Sequence, residues 1–459
     1  MSGRSDSFLG RALDRLDRLS FGRCAAGLAL VMAAVQGIYL ARAVRILDRA
    51  GAYGGSPSYG TLARNLLERG LYSLDGVRFT AYRPPLYPLF LAAHQWAFGT
   101  HWLAAAAVTQ SAIALATGVL LLLFVRRVFD DRLAMIAAAL LYLGDFFYWN
   151  EVLAQIETPL FVALVMGFFY LLARADRPRA RLAGLGMLAG LAHLTRPTGW
   201  LLLPLLIPVL ARECRRGRWP AAAVGAALAG ASFLAVALPW QLTLHRELGV
   251  ATLLSSTTGG ENVYKGNNPD LLTLCPYVWL DAYQPWIERE LRARGTADDE
   301  VARDRALRAA AFDYIRGHPL AFLEGVAVKT LALHSPWPTP LGKAELVDRG
   351  GRAALSGYRR TDTFFVRVQV LHWIVVLSGV VLYLFTGLRR APAAERRMLG
   401  LIAMFCLLFT ATQAATISAT RYRLPMDPLL IAVAAAAYAR ALHSWADRRA
   451  RPASAPAAA

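Results

Sequence analysis

Long apolar runs separated by short arginine-rich connectors dominate the chain. A membrane helix needs about 20 apolar residues, and fewer where neighbours shelter a short or broken span. On that rule the runs at 24–46, 101–125, 133–150, 157–174, 182–195, 197–211, 220–241, 367–388, 398–417 and 425–442 predict about ten spans. The first run is longer than a signal-peptide core and lacks a convincing cleavage site, so it reads as a retained span. Alternate connectors carry the basic clusters RRVFDDR (126–132), RADRPRAR (174–181), RECRRGR (212–218) and RRAPAAERR (389–397), with DRRAR (447–451) after the last run. Short cytoplasmic loops concentrate Lys and Arg, so these clusters and both termini are expected in the cytoplasm. Arg196-Pro197 interrupts one long apolar stretch, and the parity of the basic clusters favours two spans there over one kinked span.

Two polar segments fall on the opposite side, at 48–83 and 242–366. In the second, TADDEVARDRALRAAAFDYIRGHP (296–319) opens with a Thr-x-x-Asp capping signal and predicts a surface helix. The next stretch, 320–335, lies between prolines and is short for a span, so an interfacial or re-entrant helix is expected. The organisation is thus an all-α polytopic membrane protein with two long outer-face loops. A basic cytoplasmic N-terminus (1–23) precedes a seven-span membrane domain (24–241) that contains the first loop. The large outer segment (242–366), three last spans (367–442) and a disordered cytoplasmic tail (443–459) follow.

Composition supports this picture. Of 459 residues 56% are hydrophobic and only 18% charged, too apolar for a water-facing shell. The net charge of +19 comes from clusters between apolar runs and not from one continuous basic face, so no nucleic-acid partner is expected. The four cysteines, Cys24, Cys214, Cys275 and Cys406, are widely spaced and suggest neither a disulfide framework nor a zinc site. The histidines show no metal-binding spacing; His334, beside Ser335-Pro336-Trp337, is the one that merits testing. Trp149, Trp240, Trp279, Trp286 and Trp337 lie near the outer boundaries and suit an aromatic belt.

The most motif-dense stretch is residues 53–91, where a helix start at Tyr59, a Gly70–Gly76 turn and AYRPPLYPLFLA (81–92) follow the first span. With IETPLF (156–161), LTRPTG (194–199), GGENVYKGNNP (259–269) and RYRLP (421–425), it resembles the GT-C fold membrane glycosyltransferases. The similar branch is that of protein mannosyltransferases and lipid A aminoarabinose transferases. The resemblance covers most of the chain, in the expected order. It implies a polyprenyl-phosphate sugar donor, an outward-facing active site, inversion at the anomeric carbon and a bacterial inner membrane. The acceptor it implies is a glycan, lipid or protein.

Several residues carry chemistry suited to that reading. Arg83, held by the rigid Pro84-Pro85 backbone, places a guanidinium where an anionic headgroup arrives. Arg421 and Arg423 frame the last span and offer fork-like donors to a phosphate, and Lys265 offers a point charge. Each has a plain alternative as an interfacial anchor or solvated loop residue. A general base must come from a carboxylate. Asp145, Glu151 and Glu157 cluster at the outer end of spans three and four, and Glu157 matches the acidic position of the family. Tyr59 and Tyr82 are further loop candidates.

One departure from the family matters. Its catalytic aspartate stands three or four residues before the tyrosine matched by Tyr59, where this chain has Gly55 and Ser56. Asp48, Asp75, Glu261 or the Glu151–Glu157 region are the substitutes, with Glu157 and Asp48 foremost and Asp75 also a natural turn former. The expected function is transfer of a sugar from a polyprenyl-phosphate donor. The alternative is a catalytically silent relative that binds or translocates lipid-linked sugar. No cofactor is required, and metal dependence is left open.

Overall fold

The computed structural model describes residues 11, 15–16, 18–50, 56–174, 178–250, 252, 254–296 and 299–450, apart from the side chains of 43–50, 178, 449 and 450. The chain begins with α1 (Phe21–Ala50), α2 (Pro57–Arg69), α3 (Leu86–Phe98), α4 (Trp102–Phe129), α5 (Arg132–Leu143) and α6 (Phe146–Leu153). Then come α7 (Thr158–Ala173), α8 (Pro178–Thr195), a 3-10 stretch (Pro197–Leu205), α9 (Leu206–Arg215) and α10 (Trp219–Leu248). The second polar segment holds α11 (Gly259–Lys265), α12 (Leu271–Leu274), α13 (Gln284–Ala293), α14 (Glu300–Gly317) and α15 (Pro319–His334). An antiparallel hairpin, β1 (Gly342–Arg349) and β2 (Arg352–Arg360), precedes α16 (Phe364–Leu382), α17 (Ala393–Ala415) and α18 (Asp427–Ala450). The all-α expectation is therefore amended by one hairpin, turned at Gly350 and Gly351, both at positive φ.

Among the described residues, six helical stretches are long and apolar enough to cross a membrane: 21–42, 86–129, 219–248, 364–390, 393–415 and 427–448. Counting the bent pair α5–α6 as one span makes seven, against about ten expected. Local breaks account for the shortfall. The 133–150 run bends by 57° at Gly144-Asp145, and α7 has only 16 residues. At Arg196-Pro197 the chain does break, but into a 3-10 stretch followed by the ten-residue α9. Burial shelters these short pieces: Phe161, Phe168 and Phe169 of α7 are fully enclosed.

The core is centred on α18, whose alanine-rich IAVAAAAYA face lets α5 and α16 approach closely. Small residues do the same where α8 meets α10, since a Cβ at Gly186 would stand 2.0 Å from the Ala229 carbonyl oxygen. Of the expected tryptophan belt, Trp149, Trp240 and Trp286 are instead buried in protein. Trp240, for example, stacks edge-on with Tyr72 and tilts against Phe79, clamping the first polar loop onto α10. The predicted surface helix is α14, capped by Asp299 and not Thr296: the Asp299 carboxylate accepts from the Ala302 amide. It packs on α11, so the two polar segments and the last helices meet at one end of the bundle.

Candidate active site

The first polar loop is ordered by short-range chemistry. Pro57 starts α2 at a position where a missing N–H costs nothing, and Gly70 ends it in the left-handed conformation. Ser56, in the N-cap position, does not cap. Its hydroxyl pairs with that of Ser58 at 2.7 Å, and the two accept from Arg83 Nη2 (3.2 Å) and Nε (3.3 Å). The Arg83 guanidinium also lies 5.1 Å from the Tyr59 ring centre and 5.0 Å from that of Tyr82. The Tyr72 hydroxyl donates to the Arg83 carbonyl at 2.9 Å, fixing the backbone from below.

Arg83 opens into a cavity of about 900 Å³. The same cavity is lined by Tyr59, Tyr82, Glu151, Glu157, Glu261, Lys265 and Arg421, so eight of the residues singled out in the sequence converge on one space. Glu157 precedes α7 and its Oε1 accepts from Arg196 Nε at 2.7 Å, both side chains being only 8% exposed. Arg196 also donates from Nη2 to Thr158 Oγ1 at 2.8 Å. Glu157 Oε2, Arg196 Nη1 and Arg421 Nε are buried with no hydrogen-bond partner among the described residues. Glu151 sits beside them: its Oε2 accepts from Thr158 Oγ1 at 3.0 Å and lies 3.9 Å from Arg421.

The far wall is built by α11 and the turn after it. Lys265, 3% exposed, contacts Glu261 Oε1 and Asp281 Oδ1, each at 2.7 Å. Burial draws the ammonium pKa down, but the two carboxylates more than reverse this and leave it raised. Asp281 is the converse: desolvation at the contact pushes its pKa up, and the Lys265 charge and hydrogen bond carry it below the ordinary value, although its side chain as a whole is 68% exposed. The Tyr82 hydroxyl reaches Glu261 at 3.4 Å, joining this wall to the first loop. Behind it, Lys329 is fully buried and donates to the Gly266 carbonyl, Asn267 Oδ1 and the Thr416 carbonyl. Gly266 is needed here, because a Cβ would fall 1.5 Å from the Thr416 oxygen.

Four sequence candidates stand elsewhere. Asp145 is 3% exposed and caps α6, accepting from the Tyr148 amide and from Gln369 Nε2. Arg423 is 1% exposed, paired with Asp427 at 3.0 Å, bonded to the Ser335 carbonyl and stacked 3.4 Å over the Trp373 ring. His334 faces Thr410 Oγ1 at 3.0 Å, away from the cavity. Asp75 closes its own turn, where the Arg78 and Val77 amides and the Ser73 hydroxyl hold its carboxyl well below the usual range. The Asp48 side chain and Gly55 lie outside the described residues. Among the described residues no three His, Cys, Asp or Glu side chains converge as metal ligands would.

Two cavity residues escaped sequence reasoning. Arg196 belongs to the LTRPTG motif, yet its pairing with Glu157 spans 39 residues of chain and has no local signature. Asp281 stands in no motif at all, and only the fold of the second segment brings it to Lys265.

Residues 82–242 match the family model described as dolichyl-phosphate-mannose-protein mannosyltransferase. A comparison with curated proteins finds no match. Among solved structures, the chain is similar to the Archaeoglobus fulgidus oligosaccharyltransferase tethered with an acceptor peptide. That match has 14% identity and a TM-score of 0.52, and covers 93% of this chain. The chain spans half the length of that protein. ArnT from Cupriavidus metallidurans bound to undecaprenyl phosphate also aligns, at 14% identity and a TM-score of 0.41, over 91% of this chain and 78% of that one. A third match, the arabinosyltransferase EmbB from Mycobacterium smegmatis, has 14% identity and a TM-score of 0.33, over 89% of this chain and 41% of EmbB. The fold is that of the GT-C membrane glycosyltransferases, as the sequence resemblance implied.

Proposed function

We propose that the protein transfers a sugar from a polyprenyl-phosphate donor to a hydroxyl-bearing acceptor at the outer face of the membrane, with inversion at the anomeric carbon. One observation carries the reading: Arg83 faces the cavity with no carboxylate partner among the described residues. Every other cation lining that space has one. Arg196 has Glu157, Lys265 has Glu261 and Asp281, Arg421 has Glu151, and Arg308 has Asp304. Arg83 is thus the lining cation left without a carboxylate among the described residues, and an anionic phosphate offsets its charge. The matched family description supports a lipid-phosphate donor.

In this reading Arg83 takes the donor phosphate and stabilises the charge that grows on it as the glycosidic C–O bond breaks. Arg421, which lines the same cavity, supplies a second donor. Glu151 is the base: Thr158 orients one of its oxygens, and the carboxylate takes the acceptor proton as the acceptor oxygen attacks the anomeric carbon. Glu157 is committed to Arg196 and serves as its counter-charge. The test is sugar transfer from a labelled polyprenyl-phosphate donor by wild type, E151Q, E157Q and D48N. Loss in E151Q with donor binding retained is the expected result; loss in D48N alone moves the base to Asp48. No transfer by wild type from any donor ends the enzyme reading. A specific feature favours the binding-only alternative: at the family's aspartate position Ser56 hydrogen-bonds Arg83 in place of an acid.

A further inference from the structure

The residue that sets the Arg83 loop in place comes from the other polar segment. Asp299 caps α14, which leaves Glu300, the next residue, free to reach outward. Its Oε2 accepts from Thr80 Oγ1 at 2.6 Å, and its Oε1 accepts from the Ala81 amide at 2.8 Å and from the Thr257 hydroxyl. Thr257 closes the ring, its amide donating to the Ala81 carbonyl at 3.0 Å. Ala81 is fully buried, with both backbone polar groups held by residues far away in sequence, two positions before Arg83. The Thr80 hydroxyl also accepts from the Tyr82 amide at 3.1 Å, so the tie extends to the ring that stacks on Arg83.

The same carboxylate grips the opposite wall. Thr257 lies just before α11, which carries Glu261 and Lys265. One turn along α14, Asp304 accepts from the Gly260 amide, and a Cβ on Gly260 would meet the Asp304 carbonyl oxygen at 1.9 Å. Helix α14 therefore sits directly on the start of α11 and is tied through Glu300 to Thr80 and Ala81 on one side and to Thr257 on the other. Hydrogen bonds to a charged group are stronger than neutral ones, so a carboxylate with three donors is the strongest single tie in this joint.

We propose that Glu300 is a positioning residue for Arg83: it holds the Thr80–Tyr82 backbone against Thr257 so that the guanidinium meets the donor phosphate. This rests on the donor reading above but makes its own demands.

The experiment compares wild type, E300A, R83A and the double variant, with Thr257→Val as a milder cut that removes a single donor. Two readouts are needed. Backbone hydrogen exchange at Ala81 and Tyr82 reports the tie with no ligand present. Direct binding of a short-chain polyprenyl phosphate reports its consequence. Faster exchange at both amides is expected in E300A, with a smaller rise in T257V. E300A should weaken binding by about tenfold, a loss of about 1.4 kcal/mol. In the R83A background it should add almost nothing, because residues acting through one another are not additive. Unchanged exchange in both variants overturns the proposal. So does a binding loss that adds fully to that of R83A, which marks a general structural role. If E300A does not fold, T257V carries the same pair of readouts. A wild-type protein that binds no polyprenyl phosphate ends the donor reading instead, and the exchange rates alone then decide the role of Glu300.

Discussion

Arg83 and Arg423 stand in turns that lead into apolar helices at the same end of the bundle, each preceded by a tyrosine, with a proline one residue after Arg83 and two after Arg423. Their surroundings differ completely. Arg83 has two serine hydroxyls, two aromatic faces and a cavity. Arg423 has Asp427, a backbone carbonyl and Trp373 pressed against it, and its charge is spent inside the protein. An arginine in a membrane-boundary motif is a ligand for an anion only where the fold withholds its counter-ion. Asp427, one helical turn beyond Arg423, is what separates the two cases.

The comparison can be broken from either side. The largest effect is expected for R423A, which leaves Asp427 buried without its counter-charge. Removing one partner of a buried pair costs about 3–5 kcal/mol, so thermal unfolding in detergent should show severe destabilisation. R83A should do the reverse, keeping the unfolding temperature while weakening polyprenyl-phosphate binding by about tenfold to a hundredfold, the range for charge-assisted hydrogen bonds of about 1.5–3 kcal/mol. If R83A unfolds early and binds normally, the two arginines have been assigned the wrong way round. K265M should fall between them, because Glu261 loses its partner in a nearly buried position; about 2 kcal/mol of stability is at risk, with a smaller binding loss than in R83A.

The smallest effect concerns pH. Lys265 holds the Asp281 pKa below that of a free aspartate. A depressed carboxylate contributes stability above its unfolded pKa and loses that contribution as pH falls through the folded value. Wild type should therefore lose stability more steeply than D281N below about pH 4. Parallel acid limbs for the two proteins would show that the Lys265–Asp281 contact contributes nothing.

How far the sequence could reach follows the same division. The motifs of the first loop, the α6–α7 region, α11 and the final turn supply eight side chains that do share one cavity. The turn at Gly70 was readable because its signal is local, whereas the Thr-x-x-Asp signal placed the cap of α14 at Thr296 and Asp299 caps it instead. What escaped depends on pairing across the fold. Arg196 with Glu157, Asp281 with Lys265, and Glu300 with Thr80 leave no periodic trace, and Arg423 looked like Arg83 because Asp427 could not be weighed without the helix that aims it. The hairpin was missed for a related reason. Its strands mix exposed and half-buried positions without clean alternation, and a bulge between Lys343 and Glu345 shifts their register.

The central claim is that the Arg83 guanidinium, which has no carboxylate partner among the described residues, receives the phosphate of a lipid-linked sugar. Its most direct test is equilibrium binding of a labelled polyprenyl-phosphate sugar to purified wild type, R83A and R83K in one detergent. Wild type should bind and R83A should lose about tenfold to a hundredfold in affinity. R83K should recover only part, since a lysine keeps the charge but not the planar fork. Equal binding by wild type and R83A would contradict the account.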